Sequence, residues 1–303
     1  MFDKLQHLLS HKHRHWQEVD SAVYAAAYQL YGGSFLTHPL TVSTMSQMVE
    51  VTPHYFAQYA DDVVLGAIPA WGSYLAGDKR FLKKIDRRRV YDTGNAEVIL
   101  PLSSDHAFAL KVKGQFISER HRANIQGLKI QPETLSFAHA FKQGGYSKKF
   151  HYNRRRELKL FQQAGGQITP FEELSSDRIA QAYIDLFELR WNKKPKGFER
   201  LTEFIGALRP LLKGHLLSID EQPIAIQLIY VADNPALVSA EYVNGGVDLT
   251  FRQYSPGSIL SYLNITLVEQ IAEAAQKPFR YSFGLSDKDY KDSWCSPHPV
   301  YRT

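Results

Sequence analysis

The stretch Phe251–Ile265, FRQYSPGSILSYLNI, decides how the second half of this 303-residue chain is read. A basic residue leads into Ser255-Pro256-Gly257-Ser258, and an apolar run with helical spacing follows. Proline suits the first position of a helix, where its missing N–H costs nothing. The helix therefore opens at Pro256, with Ser255 as its cap. The first turn of a helix leaves backbone N–H groups unpaired at the positive end of the dipole. Such an entrance can hold a phosphate or another anion. A plainly capped helix start is the competing reading of the same residues.

Strands precede this turn. His215–Ile219, Ile224–Val231 and Leu237–Val243 read as a meander with a turn at Asp220-Glu221-Gln222. The helix runs to Gln276, a strand follows at Phe279–Phe283, and the chain continues as FGLSDKDYKDSWC. Upstream lie a basic helix, KKFHYNRRRELKLFQQ, closed by Gly165-Gly166, and helices over Asp177–Trp191 and Phe198–Leu212. In the first half, helices are expected over Ser21–Tyr31 and Leu40–Val49. Strands are expected at Tyr55–Tyr59, Val63–Trp71, Val98–Pro101 and Phe108–Val112, with a hairpin turn at Asp61-Asp62. Lys79–Arg89 is strongly basic and reads as a solvated helix or loop. Tyr59–Ile68 aligns without a gap with Ser218–Gln227, so the halves echo each other as in an internal duplication. Gly144-Gly145 breaks the chain, which divides it into 1–145 and 146–303.

Composition bounds the class. Hydrophobic residues make up 44% and charged ones 22%, which is ordinary for a globular chain and excludes disorder. No apolar run reaches the length of roughly 20 residues needed to span a bilayer. Charges interrupt the N-terminus, so no signal peptide is expected. The single cysteine, Cys295, excludes an internal disulfide and points to a reduced, cytoplasmic thiol. A net charge of +5 suits an anionic partner: a phosphate-bearing cofactor, an acidic membrane surface or RNA. Phe2, Leu5, Leu8 and Leu9 share a helical face among Lys4, Lys12 and Arg14, a pattern that packs internally or lies on anionic lipid. The alternating His11, His13 and His15 read as a polar N-terminus, and no metal site is expected. Walker, dinucleotide-binding and serine-hydrolase motifs are absent from the sequence.

The order helices, three-strand meander, turn-helix, strand resembles the Gcn5-related N-acetyltransferase (GNAT) fold. Ser147 with its basic helix, Arg190-Trp191, Pro223-Ile-Ala225, Ser255-Pro-Gly-Ser258 and Gly284 through Tyr290-Lys291 with Trp294 resemble the BioF-type subgroup. That subgroup is related to the Fem-type aminoacyl transferases, which carry two tandem copies of the fold. Tyr28-Gln-Leu-Tyr-Gly-Gly-Ser-Phe-Leu-Thr-His-Pro39 and Asp289-Tyr-Lys-Asp-Ser-Trp-Cys295 resemble the macrophage-inducible (Mig) family. That family is associated with resistance to cationic antimicrobial peptides and with the cytoplasmic face of the inner membrane.

The resemblance implies an α/β (α+β) fold of two tandem GNAT-like domains, with mainly antiparallel sheets flanked by helices. The first domain lacks a donor turn. It implies an acyltransferase that uses acyl-coenzyme A, acts on an envelope-related acceptor and sits in the cytoplasm, peripheral to the inner membrane. Aminoacyl-tRNA as donor ranks behind coenzyme A, and a non-catalytic binding module is the rival class. The family's turn holds pyrophosphate on backbone N–H groups. Its counterpart here is Arg252, Gln253, Ser255, Gly257, Ser258 and Ile259, with one glycine where the family pattern has two. A less open turn either presents the N–H groups of Gly257, Ser258 and Ile259, has lost coenzyme A, or takes another donor.

Acyl transfer to an amine needs a base, oxyanion donors and an acid for the leaving group. Glu241, on the strand before the turn, is the candidate base. Tyr242 or Tyr290 is the candidate acid. Asp287 and Lys291 follow a strand end and are candidates for binding substrate. Arg154 and Arg190 fall among apolar positions, where they either bind a ligand or pair with buried carboxylates.

Overall fold

Two hairpins of the same construction frame the halves. The computed structural model describes residues 15–303. The amphipathic segment expected at the N-terminus, with His11 and His13, lies outside these residues. Strands β1 (Gln17–Val19), β2 (His54–Ala60), β3 (Val63–Trp71) and β4 (Tyr74–Leu75) form an antiparallel sheet in that order. Helices α1 (Ser21–Tyr31) and α2 (Pro39–Val49) lie between β1 and β2 in sequence, and α1 packs on β2 and β3. The Asp20 carboxylate caps α1 by accepting from the Val23 N–H at 2.9 Å. Helix α3 (Lys79–Lys84) and the short strands β5 (Phe108–Ala109), β6 (Ile117–Ser118) and β7 (Ile125–Gln126) follow.

The chain then enters β8 (Lys129–Ala138), α4 (Lys148–Gln163), β9 (Gln167–Pro170), α5 (Ser176–Trp191) and α6 (Leu201–Ala207). Next come β10 (Leu212–Lys213), β11 (His215–Ile219), β12 (Gln222–Asp233), β13 (Val238–Val247), α7 (Pro256–Ala274), β14 (Phe279–Leu285) and β15 (Cys295–Arg302). The large sheet runs β6-β15-β8-β14-β13-β12-β11-β9, with β10 also on β12. Its pairs are antiparallel except β13–β14, which is parallel. Side chains alternate across it as a strand requires. Ile226, Leu228 and Tyr230 join the core that contains α5, α6 and the first half. Ala225, Ile229 and Val231 face the other way, with residues of α7.

The β2–β3 turn puts Asp61 and Asp62 at φ 46° and 66°, and the β11–β12 turn puts Asp220 and Glu221 at 48° and 64°. Two successive positive φ values mark the hairpin turn whose twist matches its strands. Each hairpin also slips register at the same place, between Gln58 and Tyr59 and between Leu217 and Ser218. These positions coincide in the gapless alignment, so the echo extends to backbone geometry.

Hydrogen bonding crosses residues 145 and 146, because β6 and β8 belong to the large sheet. One core also joins the halves: Phe35 stacks on Tyr230 with ring centroids 4.5 Å apart, and Tyr91 on Phe204 at 5.4 Å. The helix expected over Phe198–Leu212 ends at Ala207, since Pro210 disfavours helical geometry at Arg209. Val98–Pro101 is no strand; only Val98 makes an isolated bridge, to Ile117. The Phe108–Val112 signal shrinks to β5. Among the described residues no helix is long and apolar enough to cross a membrane.

A buried ion pair also ties the halves together. Glu97, 3% exposed by side chain, accepts from the Arg280 Nε at 2.6 Å. Arg280 further reaches Glu119 at 3.2 Å and lies 3.8 Å over the Phe137 ring. Removing one partner of such a pair leaves an uncompensated buried charge. Arg280→Met should therefore lower the unfolding free energy in urea by about 3–5 kcal/mol. The double variant with Glu97→Gln should lose less than the sum of the singles, and strict additivity would show that the pair is not coupled.

Candidate functional site

Strands β13 and β14 pair from Val238/Phe279 to Glu241/Ser282 and then part. Both are irregular at that level. Against β12, β13 slips register between Tyr242 and Asn244, and against β8, β14 slips between Ser282 and Leu285. Such bulges bend a strand and end its pairing. Gly284 adopts φ +71°, a conformation that favours glycine. The Ser282 hydroxyl accepts from the Gly284 N–H at 3.1 Å and donates to the Glu241 Oε1 at 2.9 Å. One side chain thus absorbs a backbone donor that would otherwise need a strand partner.

The parted strands open into a polar cleft of about 190 Å³. Tyr242, Val243 and Asn244 of β13 form one wall and Phe283, Gly284 and Leu285 of β14 another. Asp287 and Lys291 stand beyond β14, and Lys196 comes from the loop after α5. The first half closes the cleft with Lys79, Asp92, Gly94 and Asn95. Lys79 Nζ donates to Asn95 Oδ1 at 2.8 Å, and Asp92 Oδ1 accepts from the Gly94 N–H at 3.1 Å. Close approach of the halves depends on Gly197, at φ +70°. A Cβ there would sit 2.7 Å from the Val90 carbonyl oxygen and the Tyr91 Cα.

Asp287 and Lys291 both line the cleft and contact each other. Lys291 is buried and donates to the Leu285 carbonyl and to Asp287 Oδ1 at 3.2 Å. Tyr242 also lines the cleft; burial pushes its phenol far up, while a hydrogen bond with Gln227 pulls it back slightly. Tyr290 is half exposed and off the cleft wall. Loss of surrounding water pushes its phenol up to about 12, with Cys295 and Asp287 adding. Of the two tyrosines, Tyr242 is the one that lines the cleft.

Glu241 departs from the role of base. It is 3% exposed, lies beneath the cleft and not on its wall, and its other oxygen accepts from the Glu97 N–H at 3.2 Å. Burial raises its carboxyl well above the usual range, and the hydrogen bonds from Ser282 and Glu97 offset only part of this. With both oxygens engaged and no place among the residues that line the cleft, Glu241 does not reach a substrate held there.

The helix entrance also differs from expectation. A 3₁₀ turn, Leu249–Tyr254, separates β13 from α7 and carries Arg252 and Gln253 outward into solvent. Phe251 and Tyr254 pack into the core around Phe161 instead. Ser255 sits at φ 54° without a side-chain cap. Its carbonyl accepts from the N–H groups of both Ser258 and Ile259, at 2.9 and 3.1 Å. Pro256 has no N–H, and the Gly257 amide shows no hydrogen bond among the described residues. None of Arg252, Gln253, Ser255, Gly257, Ser258 or Ile259 lines the cleft. A pyrophosphate needs several converging donors, so these residues do not fit coenzyme A in the family's manner.

Arg154 and Arg190 lie off the cleft as well. Arg154 pairs with Glu157 at 2.7 Å and lies over the Phe150 and Trp294 rings. Arg190 is exposed and covers the Trp191 ring at 4.9 Å, while Ile179, Tyr183 and Leu186 take the buried face of α5. The cleft residues that sequence reasoning missed are Lys79, Asp92, Asn95 and Lys196. The Asp-x-Gly spacing at residues 92–94 is a turn signal in its own right. Nothing local links Lys79 or Lys196 to β13. Among the described residues, no group of His, Cys, Asp or Glu is arranged to hold a metal ion.

The Mig-14 family model matches residues 38–303. The chain belongs to the Mig-14 family. No curated protein sequence matches this Mig-14 chain. Among solved structures it is similar to FemX at 9% identity, with a TM-score of 0.57, over 95% of this chain and 96% of that one. A conserved protein of unknown function from Bacteroides thetaiotaomicron is 14% identical, with a TM-score of 0.49, over 95% and 97% of the two chains. A tandem GNAT protein from the clavulanic acid biosynthesis pathway is 10% identical, with a TM-score of 0.44, over 95% and 97%. The latter two scores add nothing to the assignment. The FemX likeness establishes the fold: a FemX-like architecture of mixed, mainly antiparallel sheets flanked by helices.

The tight contact at Gly197 yields a comparison. Gly165 has a similar φ of +80° with open space around its Cα. Gly165→Ala should cost about 1 kcal/mol, the left-handed penalty alone. Gly197→Ala should cost at least about 1 kcal/mol more, because the new methyl meets backbone. Equal melting temperatures for the two variants would show that the halves do not meet there as described.

Proposed function

We propose that this Mig-14 family chain is an acyltransferase whose reaction takes place in the cleft where β13 and β14 part. The observation that carries the reading is the cleft itself. Two parallel strands separate at Glu241/Ser282, and five charged side chains from both halves line the gap. A carbonyl entering between the strands meets Tyr242, while an amine or anion finds the mixed charges of Lys79, Asp92, Lys196, Asp287 and Lys291. Preorganised polar groups in a partly dry site stabilise developing charge more than water does.

In this reading the chain is two tandem GNAT-like units, 1–145 and 146–303, with the first serving as a wall of the site. The donor is an activated acyl group on coenzyme A or a similar carrier. The acceptor is an envelope-related amine, and the product contributes to resistance against cationic antimicrobial peptides. Work at the inner face of the cytoplasmic membrane accords with the net charge of +5 and with the exposed Lys83, Lys84, Arg88 and Arg89.

The engaged amides of Ser258 and Ile259 favour a second reading, in which the donor is aminoacyl-tRNA, as for Fem-type enzymes, or the module binds without catalysis. Calorimetric titration separates these. Binding of acetyl-coenzyme A should weaken by at least about tenfold in Asn244→Trp, which fills the cleft, and change little in Gly257→Ala. Loss of binding on Gly257→Ala with Asn244→Trp unaffected would contradict the cleft assignment. Absence of carrier binding, with tRNA binding that falls steeply with salt, would favour the Fem-like donor.

A further inference from the structure

Beside the polar cleft lies a second, mainly apolar cavity of about 30 Å³. Leu36, Leu75, Val98 and Phe116 bound it. Lys79, Gly94 and Asn95 line both spaces, so the two meet at this neck. The bond from Lys79 Nζ to Asn95 Oδ1, 2.8 Å long, joins the two sides of the neck. Gly94 adopts φ +61°, and a Cβ there would lie 3.2 Å from the Val243 carbonyl oxygen. Glycine therefore lets this loop press against β13, where the cleft opens.

One wall of the cavity is conformationally costly. Phe116 sits at φ 56°, the one aromatic residue with a positive φ among the described residues. A bulky side chain rarely takes this geometry. Its backbone is held there from both sides. The N–H donates to Gln131 Oε1 at 2.6 Å, and the carbonyl accepts from the Val98 N–H at 2.9 Å. Packed interiors hold few voids larger than a water, and strained residues gather where ligands are clamped. A void with apolar walls stays dry and takes an apolar guest.

We propose that this cavity is the acyl pocket of the cleft. It takes the tail of a short, unbranched acyl group of about two or three carbons, while the carbonyl stays in the cleft. The inference rests on the acyltransferase reading and names the class of acyl group that the reading leaves open. Polarity runs in the right direction: charged side chains line the cleft, Lys79 and Asn95 form the neck, and Leu36, Leu75 and Val98 close the far end. Size sets the limit. A water-sized group needs about 10–15 Å³ of such space, so about two tail carbons fit. Leu36, Leu75 and Val98 are themselves buried core residues, and a longer chain would have to displace them.

The test uses simple thioesters and no carrier. In the full chain, with amides and the leucine and valine methyls isotopically labelled for NMR, S-ethyl thioacetate and S-ethyl thiopropionate should shift the Leu75 and Val98 methyls saturably. S-ethyl thiohexanoate should bind at least about tenfold more weakly, although its chain is more apolar. Ala96→Val adds bulk to the wall and should weaken thioacetate binding about tenfold, whereas Val98→Ala enlarges the cavity and should lengthen the tolerated chain by about one carbon. A variant that only loosened the fold would change every chain length alike. Shifts confined to the Asn244 and Gly284 amides, no shifts at all, or tighter binding of the longer chain overturns the pocket. Methyl shifts at Leu75 and Val98 without acetyl-coenzyme A binding in calorimetry would keep the pocket and remove that carrier, so the two failures stay distinct.

Discussion

The Ser282 hydroxyl is the hinge-pin of the cleft. It donates to the Glu241 carboxyl and accepts from the Gly284 amide, and the two bonds settle where a parallel pair of strands stops. A strand in the middle of a sheet normally gives its amides to its neighbours, and an amide left unpaired in the interior is costly. Ser282 removes that cost locally, so β14 can bend at Gly284 while β13 bulges opposite. The gap that results is therefore paired off at its edge and needs no ligand to justify its polar groups.

The same knot reaches into the first half. Glu241 accepts from the Glu97 amide, and the Glu97 side chain pairs with Arg280, which neighbours Ser282 on β14. One chain of polar contacts runs from beneath the cleft to the segment carrying Asp92, Gly94 and Asn95, and ties the far wall to the strands. The halves are thus joined at the cleft by polar contacts as well as by a shared core. The charges on the walls come in both signs and from segments distant in sequence.

Much of this architecture was legible beforehand. Helix α1 and strands β3 and β11 lie where hydrophobic periodicity puts them, and the turn pairs Asp61-Asp62 and Asp220-Glu221 mark both hairpins. The helix after Ser255 was also readable, because Pro256 and the spacing of apolar residues leave little choice. Strands β8 and β15 were not, and the reason is proline: Pro132 in one, Pro297 and Pro299 in the other, contrary to the usual strand composition. Pro132 falls at the register slip between β8 and β15, where a ladder bond is not required, and β15 lies next to the sheet's edge, covered only by the two-residue β6.

The site was half legible. Asp287 and Lys291 follow a strand end, a position the sequence exposes. Glu241 was correctly placed on a strand, yet alternation does not say whether a carboxylate lines a cleft or seals its floor. The turn at Ser255 was misjudged more subtly. Its composition fits an open anion seat, but the positive φ of Ser255 turns its carbonyl onto the Ser258 and Ile259 amides. Lys79 and Lys196 had no local signal, since they meet at the cleft only once the halves are packed. The most direct measurement is NMR-detected hydrogen exchange of the Gly284 amide in the native chain and in Ser282→Ala. The account predicts slow exchange that quickens by about tenfold or more in the variant, while amides of Val238–Glu241 hardly change. Unaltered protection of Gly284 would mean that another strand holds that amide, and the strands would then not part as described.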